Sequence, residues 1–148
     1  MICPFCASKT KIYNSRSTHL ATQTWRRLRC TQCKRTFTTK EKIDWSGTVK
    51  VTSANESALY TKDRLLLSIS RAAQQLAIPP SAIIELTDSI ELELQNTGFF
   101  EANAQDADLI TSTAIVTLGR FNTHMALQYA NNVYRNQPPL ELIKQFIP

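Results

Sequence analysis

From residue 61 onward apolar side chains return at intervals of three and four, the spacing that lines one face of an α-helix. Leu65, Ile69, Ala72, Ala73 and Leu76 form such a stripe behind Thr61, a helix-capping residue type, and Pro79-Pro80 forbids continuation beyond about Ala77. Ser81 reads as the cap of a second helix, with Ile83, Ile84, Ile90 and Leu94 inside and Glu85, Asp88, Glu91 and Glu93 on the wet side. Two more helices are predicted, from about Gln105 to Leu118 and from about Asn122 to Arg135, and the tail around residues 138–146 adds a short turn.

Two earlier stretches repeat with a period of two, which makes strands. Thr48-Val49-Lys50-Val51-Thr52 alternates and is β-branched, and the polar residues 53–57 turn it back into a second strand at Ala58-Leu59-Tyr60. In Thr24-Trp25-Arg26-Arg27-Leu28-Arg29-Cys30, alternation puts Trp25, Arg27 and Arg29 on one face and turns Leu28 and Cys30 the other way. Gly47, Gly98 and Gly119 fall where periodicity breaks, as turn and helix-stop positions. The expected fold is α+β: a small N-terminal module over 1–44, a mainly α-helical domain with an N-terminal β-hairpin over 48–136, and a C-terminal tail over 137–148.

Composition adds bounds. The 148 residues, 43% hydrophobic and 20% charged, suit one ordinary domain plus a small module. No apolar run approaches the roughly 20 residues that cross a bilayer, and no signal-peptide pattern opens the chain, so the reading is a cytoplasmic protein with no membrane partner. Charge is uneven. Residues 1–44 hold ten Lys/Arg against Glu41 and Asp44, a net +8, whereas the rest holds seven basic against ten acidic groups, a net −3. The basic end suits a polyanion.

All four cysteines lie in that end, as Cys3-Pro4-Phe5-Cys6 and Cys30-Thr31-Gln32-Cys33. Paired Cys-x-x-Cys turns can set four thiolates tetrahedrally around one Zn²⁺, and a shell closed by four sulfurs leaves no position for substrate, so the metal is structural. Two disulfides or a thioredoxin-like redox pair are the competing readings. With the shell complete, His19 and His124 are not read as ligands, and Trp25 and Phe37 are read as packing for a small core. The intervening residues suit the hairpin of a zinc ribbon, and its arginines suit phosphates and guanine edges through bidentate hydrogen bonds. Arg16, Arg26, Arg27, Arg29, Arg35 and Lys40 are the candidate DNA contacts. No nucleophile triad, phosphate loop or His-Glu-x-x-His occurs, which argues against an enzyme.

Cys-Pro-Phe-Cys, then Lys11-Ile12-x-x-Ser15-Arg16, then Arg26-Arg27-x-Arg29-Cys30-x-x-Cys33-x-Arg35-x-Phe37-Thr38-Thr39-x-Glu41 resembles the NrdR family of bacterial repressors of ribonucleotide reductase genes. Arg64-Leu65, Arg71-Ala72 and Val133-Tyr134-Arg135 continue the resemblance more loosely. It implies a DNA-binding Cys₄ zinc ribbon joined to an ATP-cone domain that senses adenine nucleotides and controls oligomeric state. ATP or dATP is then the implied ligand, with Lys50, Arg64 and Arg71 as candidate nucleotide-binding residues. Yet Ser57 and Ala58 stand where the family carries a charged pair, and neither can hold a triphosphate through charge-assisted hydrogen bonds. The expectation is a cone that has lost or changed its ligand. The function read from the chain is a zinc-dependent, sequence-specific regulator of transcription acting on double-stranded DNA as a homo-oligomer. The alternatives are a non-regulatory nucleic-acid-binding accessory protein, for example of phage or mobile-element replication, and a zinc module that docks another protein.

Overall fold

The alternation at residues 24–30 builds the middle strand of a three-stranded antiparallel sheet. A computed structural model describes residues 1–17, 23–53 and 56–134; His19, Ala54, Asn55, Arg135 and the tail over 137–148 lie outside the described residues. The chain divides into two units, Met1–Asp44 and Trp45–Pro148. In the first, β1 (Thr10–Ser17), β2 (Gln23–Cys30) and β3 (Thr36–Lys42) pair in the order β1-β2-β3. β3 was not foreseen; its Thr36, Phe37, Thr38 and Thr39 are strand formers that pair with residues 26–29 of β2.

The second unit opens with β4 (Lys50–Thr52) and β5 (Ser57–Leu59), an antiparallel pair. Among the described residues four helices follow: α1 (Lys62–Ala73), α2 (Pro80–Asn96), α3 (Ala107–Phe121) and α4 (Thr123–Val133). Between α2 and α3 lies β6 (Ala104–Asp106), which runs parallel to β4 and turns the expected hairpin into a three-stranded sheet, β5-β4-β6. Gln105 therefore belongs to a strand, and α3 starts after it, capped by the Asp106 carboxylate accepting from the Asp108 amide at 3.0 Å. α4 is capped likewise, Asn122 Oδ1 accepting from the Met125 amide at 2.9 Å.

Other boundaries also move. α2 begins at Pro80, whose missing N–H costs nothing in a first turn, so Ser81 lies inside the helix and does not cap it. α1 stops at Ala73, short of Ala77, and the Thr61 hydroxyl makes no capping bond although Thr61 holds the cap position. Gly119 sits within α3 and stops nothing. Gly98 does end its helix, taking φ +75° just beyond α2, a conformation that favours glycine.

Tyr60, Leu65, Ile69, Ile90, Leu94, Phe99, Ile115, Leu118, Met125 and Tyr129 form one buried core shared by all four helices. Each large aliphatic side chain so buried stabilises by about 1.5–3 kcal/mol. Into its edge reaches a charged cluster. Lys62 in the first turn of α1 donates to Asp88 at 2.6 Å and to Glu91, and the Tyr60 hydroxyl donates to Glu91 at 2.9 Å. These bonds tie the base of the β4–β5 hairpin to α2. Burial pulls the Lys62 ammonium down, but the two carboxylates outweigh it and leave it above its ordinary value of 10.5. A group raised on folding stabilises fully below its unfolded pKa and ceases to do so as pH passes the folded one. Glu91→Ala is therefore expected to cost about 2 kcal/mol, discounted because Lys62 is half-exposed, or near 10 °C in melting temperature. With Asp88 still bonded to Lys62, the variant should also lose part, not all, of the destabilisation expected of the wild-type chain above about pH 10.4. Calorimetric melts at pH 8 and 11 check both.

Candidate metal centre and nucleic-acid face

Each knuckle is a tight backbone turn closed the same way. The Cys3 amide donates to Ser8 O at 2.8 Å and the Cys30 amide to Arg35 O at 3.0 Å. The residue after each second cysteine takes a left-handed conformation, Ala7 at φ 56° and Lys34 at φ 60°. For non-glycine residues that conformation costs of order 1 kcal/mol and marks a fixed turn; no glycine signals it in the sequence.

These turns bring all four sulfurs within 4.8 Å of one another. Cys3 Sγ lies 3.7 Å from Cys33 Sγ, and Cys6 Sγ 3.4 Å from Cys30 Sγ. A tetrahedron with Zn–S bonds of about 2.3 Å has edges of about 3.8 Å, so the donor set fits Zn²⁺. The four thiols are free, which removes the disulfide reading. Cys3 and Cys30 are buried, and the Gln32 and Cys33 amides point at Cys30 Sγ from 3.4 Å, donors suited to a thiolate. The Ser8 amide and then its hydroxyl hold Cys6 down at about 6. The Arg35 amide pulls Cys33 down too, but burial and the three sulfurs around it push it up to about 11. Four thiolates this close repel until a dication compensates them. The ribbon holds one structural Zn²⁺, and Cys3, Cys6, Cys30 and Cys33 are the residues that would bind it. A closed thiolate shell supplies folding energy and no open coordination position.

Strand register sorts the basic residues into two faces. Opposite β2, Arg16 and Lys40 flank Trp25, Asn14 and Thr38 flank Arg27, and Lys11 and Thr36 flank Arg29. Directly paired residues share a face, so Lys11, Arg16, Arg27, Arg29 and Lys40 surround Trp25 on one side, with no carboxylate among these paired positions. Arg27 and Arg29 are exposed while Leu28 and Cys30 between them are buried. Arg26 lies on the opposite face, paired across the strands with Thr39 and bonded to Glu41 at 2.5 Å. Arg35 sits on the second knuckle, its guanidinium 4.9 Å from the centre of the Phe5 ring. Phe5 in turn meets Phe37 edge-on at 6.4 Å, so Phe37 packs against the first knuckle. Six candidates thus separate into four on one face, one neutralised behind it and one on a knuckle.

Arg16 reaches its place through a bulge. Ile12 pairs with Leu28 but Asn14 pairs with Arg27, leaving Tyr13 as an extra residue, 72% exposed. One extra residue in a strand turns everything after it to the other side. Were Tyr13 paired with Arg27 instead of bulged, Arg16 would fall opposite Thr24 and point away from Trp25. Lys11 was not among the sequence candidates, because only the β1–β2 pairing places it beside Arg29.

The nucleotide candidates do not converge. Arg64 opens on a cavity of 240 Å³ between β5, α1, α3 and α4, which Lys50 and Arg71 do not line. Arg71 borders a separate polar recess with Gln74, Gln75, Gln128 and Asn132. Lys50 is exposed on β4 opposite Leu59.

Residues 1–41 match the family described as "Transcriptional repressor NrdR-like, N-terminal domain". Curated relatives extend the similarity into the helical unit. A transcriptional repressor NrdR of Gloeobacter violaceus is 28% identical over 136 residues, 91% of this chain and 77% of the relative. The NrdR of Granulibacter bethesdensis is 29% identical over 137 residues, 92% of this chain and 85% of its own length. That of Finegoldia magna is 28% identical over 107 residues, covering 72% and 71%. Among the described residues no helix is long and apolar enough to cross a membrane.

Proposed function

We infer, from a chain that is NrdR-like from its ribbon to its last helix, that this is a zinc-dependent transcriptional repressor, not an enzyme, whose ribbon reads double-stranded DNA in the cytoplasm. The observation that carries the reading is the sheet face on which Lys11, Arg16, Arg27, Arg29 and Lys40 surround Trp25 with no acidic pairing partner. Phosphates require cations at several points and base edges require planar forked donors, and that face supplies both. Arg27 and Arg29, exposed on the central strand, read base edges; Arg16, Lys11 and Lys40, on the flanking strands, grip phosphates. Zinc makes the face rigid, because the strand bearing both arginines ends in ligand Cys30.

One ribbon covers few base pairs, so useful affinity requires two or more ribbons on one scaffold. The helical unit is that scaffold, and the protein acts as a homo-oligomer. Selection of duplexes from a random pool, followed by anisotropy titrations at 50 and 200 mM salt, tests the reading. One duplex sequence should stay bound at the higher salt while scrambled duplex loses about 10³-fold or more. Equal binding to any strand, single or double, would favour an accessory nucleic-acid-binding role instead. Light scattering of the free and DNA-bound chain should return a mass of at least two protomers.

A further inference from the structure

The cavity beside Arg64 is lined chiefly by carbon and hydroxyl groups. Val51, Ala58, Leu65 and Ile110 give it apolar walls, and Thr61, Ser68, Thr111 and Tyr129 bring hydroxyls to it. Arg64 and Glu56 are the charged residues among its lining. A nucleoside triphosphate, the ligand that family resemblance implies, does not fit such a site. It carries about four negative charges, where the walls offer one cation and an opposing carboxylate. Lys62, two residues before Arg64, is bonded to Asp88 and Glu91. At 240 Å³ the space also falls below the roughly 300–1,000 Å³ that drug-sized ligands occupy.

Arg64 gives the site its direction. It is exposed, and among the described residues no ion pair or hydrogen bond holds its guanidinium. A forked donor without a partner at the rim of an apolar cavity matches a ligand with an apolar body and one anionic head, a carboxylate or a phosphate monoester.

We propose that this cavity binds a compact, largely apolar molecule bearing a single anionic group, held by Arg64, in place of an adenine nucleoside triphosphate. The body lies along Val51, Leu65 and Ile110, and the head pairs with Arg64 at the rim. The inference is independent of the ribbon's role, since it rests on the helical unit alone. Titration calorimetry of the full chain with hexanoate, hexyl phosphate, 1-hexanol, ATP and dATP tests it. At least one hexyl anion should saturate below millimolar concentration and bind at least about 10-fold more tightly than 1-hexanol. The ratio of the two anions identifies the head group. Arg64→Gln, a change at an exposed position, should weaken the anion about 10-fold, and Ile110→Trp, which fills the cavity, should abolish binding with the melting transition retained. The proposal is overturned if ATP or dATP binds more tightly than both anions, if neither anion binds, or if Arg64→Gln leaves the affinity unchanged. DNA titrations of the same preparations report on the ribbon separately, so failure there leaves the cavity result standing.

Discussion

Replacing Cys30 with serine is expected to release zinc, unfold the ribbon and abolish DNA binding, while the helical unit keeps its melting transition. The side chain is buried, receives two backbone amides and contributes one edge of the sulfur tetrahedron. Serine offers a harder, far less acidic ligand in the same place. The ribbon's own resources are small: outside the metal ligands, Leu28 is its one fully buried apolar side chain among the described residues. Structural zinc sites supply about 10–16 kcal/mol of folding free energy at neutral pH, far more than one leucine. Metal content should fall from one zinc per chain to near zero, and DNA affinity should drop to background at any salt. A Cys30→Ser chain that keeps stoichiometric zinc and full DNA binding would show that the metal does not hold the reader together.

The second large effect is expected at Arg27 and Arg29. Alanine at either should cost about 1–3 kcal/mol for the selected duplex and little for a scrambled one, because base-edge contacts discriminate between sequences. Together they should lower specific affinity by about 10²-fold or more. Lys40→Ala should weaken both duplexes alike and reduce the salt slope by about one phosphate. Arg26 is the internal control. Already bonded to Glu41 on the opposite face, it should cost less than about 1 kcal/mol when replaced and leave the salt slope unchanged. If Arg26→Ala weakens binding as much as Arg27→Ala, the DNA meets the other side of the sheet.

What the sequence disclosed follows from the range of the interactions that decide each feature. Cysteine spacing is local, so the metal quartet could be read directly, and so could the alternation that exposes Arg27 and buries Leu28. Helical stripes behave alike, since a core face repeats within one segment. The misplaced features are those decided by distant partners. Ala104–Asp106 has no apolar alternation and becomes a strand only because β4 offers its free edge. Gly119 is carried inside α3 by packing around Leu118, a buried neighbour that outweighs glycine's weak helix propensity. Arg26 and Arg27 are adjacent and chemically identical; alternation sets them on opposite faces, but the ion pair that occupies Arg26 comes from Glu41, fifteen residues away. The Arg64 cavity draws its walls from β5, α1, α3 and α4, so no window of sequence contains it.

The extra residue at Tyr13 gives this ribbon an unusual tolerance of length. Most binding surfaces change by substitution, one side chain at a time. Here Tyr13 is extra to the pairing, so loss of its codon would straighten β1 and leave Arg16 opposite Trp25, whereas the same residues paired without a bulge would set Arg16 opposite Thr24, on the Glu41 side. A one-residue change of length shifts the register of a regular strand and exchanges its faces, whereas at this position it only adds or removes the bulge. Related ribbons that lack one residue at this place should therefore keep the DNA preference of their arginines.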